Sequence, residues 1–232
     1  MPYIDKEHNI EIRIKGDMSM WSDLNIIWKE CFSLAWKSFN NNTIPIGAVI
    51  VDLQGSIIAR GRNRIYDKGS NHTLSGTDMA HAEMTAMSTL KKEEHPEIKS
   101  YTLYTTMEPC PMCFGTMVMM GIRNLKYAAK DGFAGATELN TKMDYIHDKS
   151  LNIGMEGSEL EVFQICLQAS YEYLRNHNRI EKILNSWSSY CSDGVDLAKG
   201  LYEDGYFKDA ICRNKPINDV YDEIINIYKK HL

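Results

Sequence analysis

The sequence predicts an α/β domain with helices on both faces of a mixed sheet, followed by a helical extension at the C-terminal end. Three observations predict it. β-rich runs alternate with helical periodicities over roughly residues 21–177. From Asn178 to Leu232 only helical patterns recur. The chain has 232 residues, of which 44% are hydrophobic and 25% charged, enough for one sizeable domain with an appendage.

Taken in order, Ile10, Ile12 and Ile14 alternate with charged residues, which predicts an N-terminal strand or hairpin arm within residues 1–20. Ser19 to Phe39 carries Leu24, Ile27, Trp28, Cys31, Leu34 and Ala35 at helical spacing, with Ser19 or Ser22 as cap and the run NNNT at 40–43 as its end. Pro45 to Asp52 and Ser56 to Arg62 are β-rich runs around Gln54-Gly55, a hairpin signal. Residues 66–79 are polar and glycine-containing and predict a loop that lines a site. Ala80 to Lys92 reads as a helix, Tyr101 to Thr106 as a strand, and Pro111 to Met120 as a helix with proline in its first turn. Leu125 to Ala129 is a further strand, and Ser158 to Arg175 a helix with one apolar face. The tail, residues 178–232, reads as two or three short helices.

No apolar run is long enough to cross a bilayer, and the opening MPYIDKEHN is charged where a signal peptide needs an apolar core. The expectation is a cytoplasmic protein without membrane contact. Of six cysteines only Cys110 and Cys113 have a spacing with chemical meaning; the others predict reduced thiols. The formal charge of −5 favours a small substrate over a phosphate-rich one.

The chemistry resides in His81-Ala82-Glu83 and Pro109-Cys110-Pro111-Met112-Cys113. Two cysteines three apart at a helix start share one face and can chelate, and the positive end of the helix favours the thiolate. His81 completes a three-ligand set for one zinc ion per chain, with the fourth position left for water. Glu83 is poorly placed to bind the same ion as His81, because residues two apart on a helix point to nearly opposite sides. From an open first turn it can still reach a water on the ion and move protons. A fourth protein ligand, Cys31 or His72, would instead make the site structural, but neither sits in a ligand-like pair.

These motifs resemble the cytidine-deaminase-like superfamily of zinc-dependent nucleobase and nucleoside deaminases, whose H-x-E and P-C-x-x-C signature is a known one. The resemblance runs from about Asn25 to Leu174 and includes PIGAVIVD, GRNR at 61–64, HAEM at 81–84, TLYTTMEPCPMC at 102–113 and the following MGI. It is greatest to the branch holding tRNA adenosine, guanine and cytosine deaminases; free cytidine deaminases usually carry cysteine in place of His81. The resemblance implies a three-layer α/β/α sandwich on a mixed five-stranded sheet, a deaminase domain over 21–177, and an extension over 178–232 beyond the usual family length. It implies zinc on His81, Cys110 and Cys113, Glu83 as general acid/base, and substrate contacts from Asn63, the Ala82 backbone and Asp131. Read from its neighbour Gly132 alone, Asp131 is a turn residue. The implied reaction adds water to the ring carbon bearing the amine. Glu83 carries a proton to the adjacent ring nitrogen and then to the amine, which leaves as ammonia.

The expected substrate is a free nucleobase or nucleoside of purine or cytosine type, and a homodimer is implied by resemblance. A tRNA adenosine deaminase is the first alternative, and it calls for a basic tail or rim. From Asn178 onward eight Lys/Arg face nine Asp/Glu, so the tail has no basic bias. A zinc-stabilised binding module without turnover is the alternative of another class, and Glu83 is the feature against it. Met112, Met117, Met119 and Met120 predict core or subunit packing. His72, His95 and His147 sit in polar loops, and Trp187 predicts helix packing rather than base stacking.

Overall fold

The computed structural model describes residues 19–69 and 71–231. The predicted strand around Ile10 to Ile14 lies outside the described residues. Five strands form one sheet in the order β2-β1-β3-β4-β5: β1 (Gly47–Val51), β2 (Ile57–Arg62), β3 (Thr102–Met107), β4 (Asn124–Ala129) and β5 (Asn152–Met155). β1 is antiparallel to β2 and β3, while β3, β4 and β5 run parallel, so the sheet is mixed.

Alternation along β1 sorts the two faces. Val49 and Val51 join the cluster built with α1 (Ile26–Asn40) and α6 (Ser158–Arg175). Ala48 and Ile50 join the opposite cluster, with α2 (Ala82–Met87) and α3 (Pro111–Met120). Helices therefore cover both faces, in the three-layer arrangement expected. Two short helices, α4 (Leu139–Lys142) and α5 (Asp144–His147), lead into β5.

α2 lies directly on β2. A Cβ built on Gly61 would stand 2.0 Å from the Ala82 carbonyl and 2.4 Å from the Ala86 nitrogen. Only glycine allows that approach. The substitution Gly61→Ala is expected to cost about 1–3 kcal/mol of unfolding free energy, read as a lower denaturant midpoint; an unchanged midpoint would contradict so close a packing.

Four elements differ from the sequence reading. The first helix begins at Ile26 with Asn25 as its cap, the side chain accepting from the Trp28 N–H at 3.0 Å, while the serine-rich stretch before it forms a 3₁₀ turn over Trp21–Asp23. The helix expected over Ala80 to Lys92 is shorter, Ala82–Met87, because His81 has extended backbone (φ −65°, ψ 156°) and caps it. β5 was not anticipated from its residues; its side chains are half-buried or exposed without alternation. The tail is not made only of short helices: α7 (Ile180–Glu203) has 24 residues and a kink at Cys191, and is followed by α8 (Tyr206–Cys212) and α9 (Ile217–His231). Residues from α7, α8 and α9 share the α1/α6 core cluster. All six cysteines are free, and no helix among the described residues is long and apolar enough to cross a membrane.

Candidate metal centre and active site

The C-terminal end of the central strand β3 brings the two motifs together. β3 stops at Met107 and the chain turns through Glu108-Pro109 into α3, whose N-cap is Cys110 and whose first residue is Pro111. Cys113, one turn on, is fully buried. His81, at the cap of α2, points its Nδ1 at both sulfurs, 3.6 Å from Cys110 Sγ and 3.5 Å from Cys113 Sγ. The three donor atoms lie within 4.8 Å of one another, and among the described residues they form the one such group.

The three donors shift one another's protonation. A hydrogen bond from the Cys113 thiol brings Cys110 down to about 4, against the opposing effect of burial and helped by His81. Cys113 is pushed well up by that same bond, by burial and by Glu83. Burial opposes protonation of His81, but Cys110, Glu83 and Asp78 together outweigh it and raise its pKa. One imidazole and two thiolates are a borderline-soft N/S set of the kind zinc prefers, and three ligands leave one position open. The donor set therefore fits zinc. Neither suggested fourth ligand joins it: Cys31 lies against the Tyr104 carbonyl at 3.9 Å in the other core, and His72 Nδ1 accepts from the Leu74 N–H at 3.3 Å.

Glu83 is 3% exposed, and its two oxygens have different surroundings. Oε1 accepts from Thr105 Oγ1 at 3.2 Å, and Oε2 stands 3.4 Å from Cys113 Sγ. Burial raises its pKa, partly countered by His81. Glu83 and His81 do not point apart as expected, because His81 is outside the helix. The extended cap turns its imidazole to the same side as the carboxylate. Glu83 nevertheless stands outside the three-donor group.

Asn63 is 1% exposed at the end of β2. Its Oδ1 accepts from Thr43 Oγ1 at 2.6 Å and from the Ile65 N–H at 3.1 Å, which orients the amide with Nδ2 as the remaining donor. Ala82 is buried as the first residue of α2, so its N–H has no partner within the helix. Asp131 lies in the loop after β4. Its Oδ1 accepts from the N–H groups of Phe133 and Ala134 and from Trp187 Nε1, so the carboxylate shapes a turn and meets α7.

Sequence reasoning missed Thr105, Glu108, Lys130 and Thr137. Glu108 is buried and accepts from Lys130 Nζ, the Asp131 and Thr137 N–H groups and Thr137 Oγ1. The available signal was a carboxylate directly before Pro-Cys at a buried strand end, where it must find donors. Nothing local singles out Thr105 within the run TTM.

A family model described as the cytidine and deoxycytidylate deaminase zinc-binding region matches residues 22–129. The chain is 30% identical over 155 residues to a tRNA-specific adenosine deaminase of Haemophilus influenzae, covering 65% of this chain and 84% of that protein. It is 29% identical over 105 residues to a cytosine deaminase of Candida albicans, covering 45% of this chain and 65% of that protein. It is 34% identical over 109 residues to a Deinococcus radiodurans tRNA(Ile)-lysidine synthase, covering 46% of this chain but spanning only 17% of that protein's length. Among solved structures, NE0047 in complex with 2,6-diaminopurine superposes with a TM-score of 0.50 at 20% identity, over 65% of this chain and 82% of that one, a likeness of fold.

Proposed function

The chain belongs to the cytidine deaminase-like family of zinc-dependent deaminases, hydrolases acting on C–N bonds of cyclic amidines, and on that premise we propose that it deaminates a free nucleobase or nucleoside. The observation that carries this reading is the buried Glu83 carboxylate beside the His81, Cys110 and Cys113 donors, 3.4 Å from Cys113 Sγ. Bound zinc supplies Lewis acidity that brings a water molecule within reach of ionisation near neutral pH. His81, Cys110 and Cys113 would hold the ion, and Glu83 Oε2 would take a proton from the attacking water while Thr105 holds Oε1. Oxygen adds to the ring carbon bearing the amine, and Glu83 passes the proton to the adjacent ring nitrogen. Glu83 then delivers the water's second proton to the amine, the C–N bond breaks and ammonia leaves. Asn63 Nδ2 and the Ala82 N–H hold the base in place. The net charge of −5 and the unbiased tail support a small substrate.

One observation favours a second reading, in which the base is presented on RNA. A groove of about 520 Å³ beside Asn63 is lined by Lys37, Arg62, Arg64, Asp67 and Lys68. In the adjoining hollow the Arg175 guanidinium lies 4.8 Å over the Tyr66 ring. Cations beside an aromatic ring suit a phosphate backbone with unstacked bases. The deciding measurement is ammonia release from adenine, guanine, cytosine, their nucleosides and an anticodon stem-loop RNA. The expected outcome is turnover of a free compound with little dependence on salt. Turnover of the RNA alone, with affinity falling steeply as salt rises, would replace the first reading with the second.

The proposed assembly is a homodimer, taken from the resemblance. The exposed Met119, Met143 and Tyr145 near α3 support a subunit contact.

A further inference from the structure

We propose that Trp187, on α7 of the C-terminal extension, is a positioning residue for the metal-binding turn, so that the extension is a working part of the zinc site. The inference rests on His81, Cys110 and Cys113 holding the metal. Its basis is an unbroken set of contacts from α7 to Cys110. Trp187 is 4% exposed, and its Nε1 donates to Asp131 Oδ1 at 2.9 Å. At the next residue the loop meets the helix backbone itself. A Cβ on Gly132 would stand 2.3 Å from the Ser186 carbonyl. Two successive loop residues are thus fixed on α7.

From there the loop grips the turn before Cys110. The Asp131 N–H donates to Glu108 Oε2 at 3.2 Å, and the Thr137 N–H to Glu108 Oε1 at 3.0 Å. Gly135 lies so close to that carboxylate that a Cβ would stand 2.1 Å from Oε2. The Ala136 N–H donates to the Pro109 carbonyl at 3.0 Å, and the next residue is Cys110. Groups that hold metal ligands from behind set their orientation, and their loss typically weakens metal binding 10–100-fold. Here the loop acts one step further out, on the residues that lead into Cys110, and Trp187 is the hydrogen-bond donor from outside the loop to the Asp131 side chain that closes it.

The test is the rate of zinc transfer from the loaded full-length protein to a chromophoric chelator. Trp187→Phe keeps an aromatic ring and removes only the N–H. It is expected to speed release by roughly tenfold. Asp131→Ala should speed release as well, and the double variant should be no faster than the quicker single one, because both remove the same bond. Leu201→Ala, in the far half of α7 and 6% exposed, supplies a control that loosens the helix packing without touching the loop. It should lower the thermal midpoint and leave release unchanged. Parental release from Trp187→Phe would overturn the proposal, as would a Leu201→Ala protein that loses zinc equally fast at the same loss of thermal stability. A parent protein that takes up no zinc would instead sink the ligand assignment beneath it.

Discussion

Replacing Glu83 by glutamine is expected to lower kcat by about 10²–10⁴-fold while the protein keeps one zinc per chain. Glutamine fills the same buried space and can still accept from Thr105 Oγ1, which lies 3.2 Å from Oε1. What it lacks is a group that takes and returns a proton. Because Glu83 is outside the set of three donors, the metal should remain. Ammonia release and metal content measured on the same preparation separate the possibilities. Full turnover in the variant would remove Glu83 from the chemistry and leave room for a zinc-stabilised binding module. Loss of zinc along with activity would make the residue part of the metal support rather than a proton carrier.

The parts of this site that are legible in the sequence depend on spacing along one element. Cys110 and Cys113 stand one helical turn apart on either side of Pro111, the first residue of α3, and that spacing is local. β1 was readable in the same way, as a continuous β-rich run beside the Gln54-Gly55 turn, because both of its faces are buried against a core. β5 was not readable: Asn152–Met155 is half-exposed at the sheet edge, so no face of it is selected for burial. The extent of α2 was misjudged because apolar periodicity does not report a backbone that is still extended at His81. Contacts between distant segments were invisible for a more general reason. Trp187 lies 56 residues from Asp131, and only the packing of α7 across the fold makes an indole beside that loop meaningful. The basic groove is a similar case. A charge count taken along the tail finds no excess, yet Lys37, Lys68 and Arg175 come from three separate stretches and meet only in the folded chain.

The second large effect concerns the metal itself. Replacing Cys113 by serine is expected to reduce zinc from one per chain to near none after dialysis. Cys113 is buried and central: its sulfur is 3.5 Å from His81 Nδ1 and 3.4 Å from Glu83 Oε2, so no neighbouring side chain can swing in to replace it without displacing one of the two. His81→Ala should have the same consequence, since imidazole is the only nitrogen donor in the group. Stability should follow occupancy. A ligand held only by the folded state adds about 2.7 kcal/mol when present at a hundred times its Kd. A chelator should therefore lower the thermal midpoint of the parent and leave that of Cys113→Ser where it already is. A variant that still carries a full equivalent of zinc, with a midpoint that falls on chelation, would show that other donors hold the ion. In that case Glu83 would no longer have a water to work on at the place assigned to it.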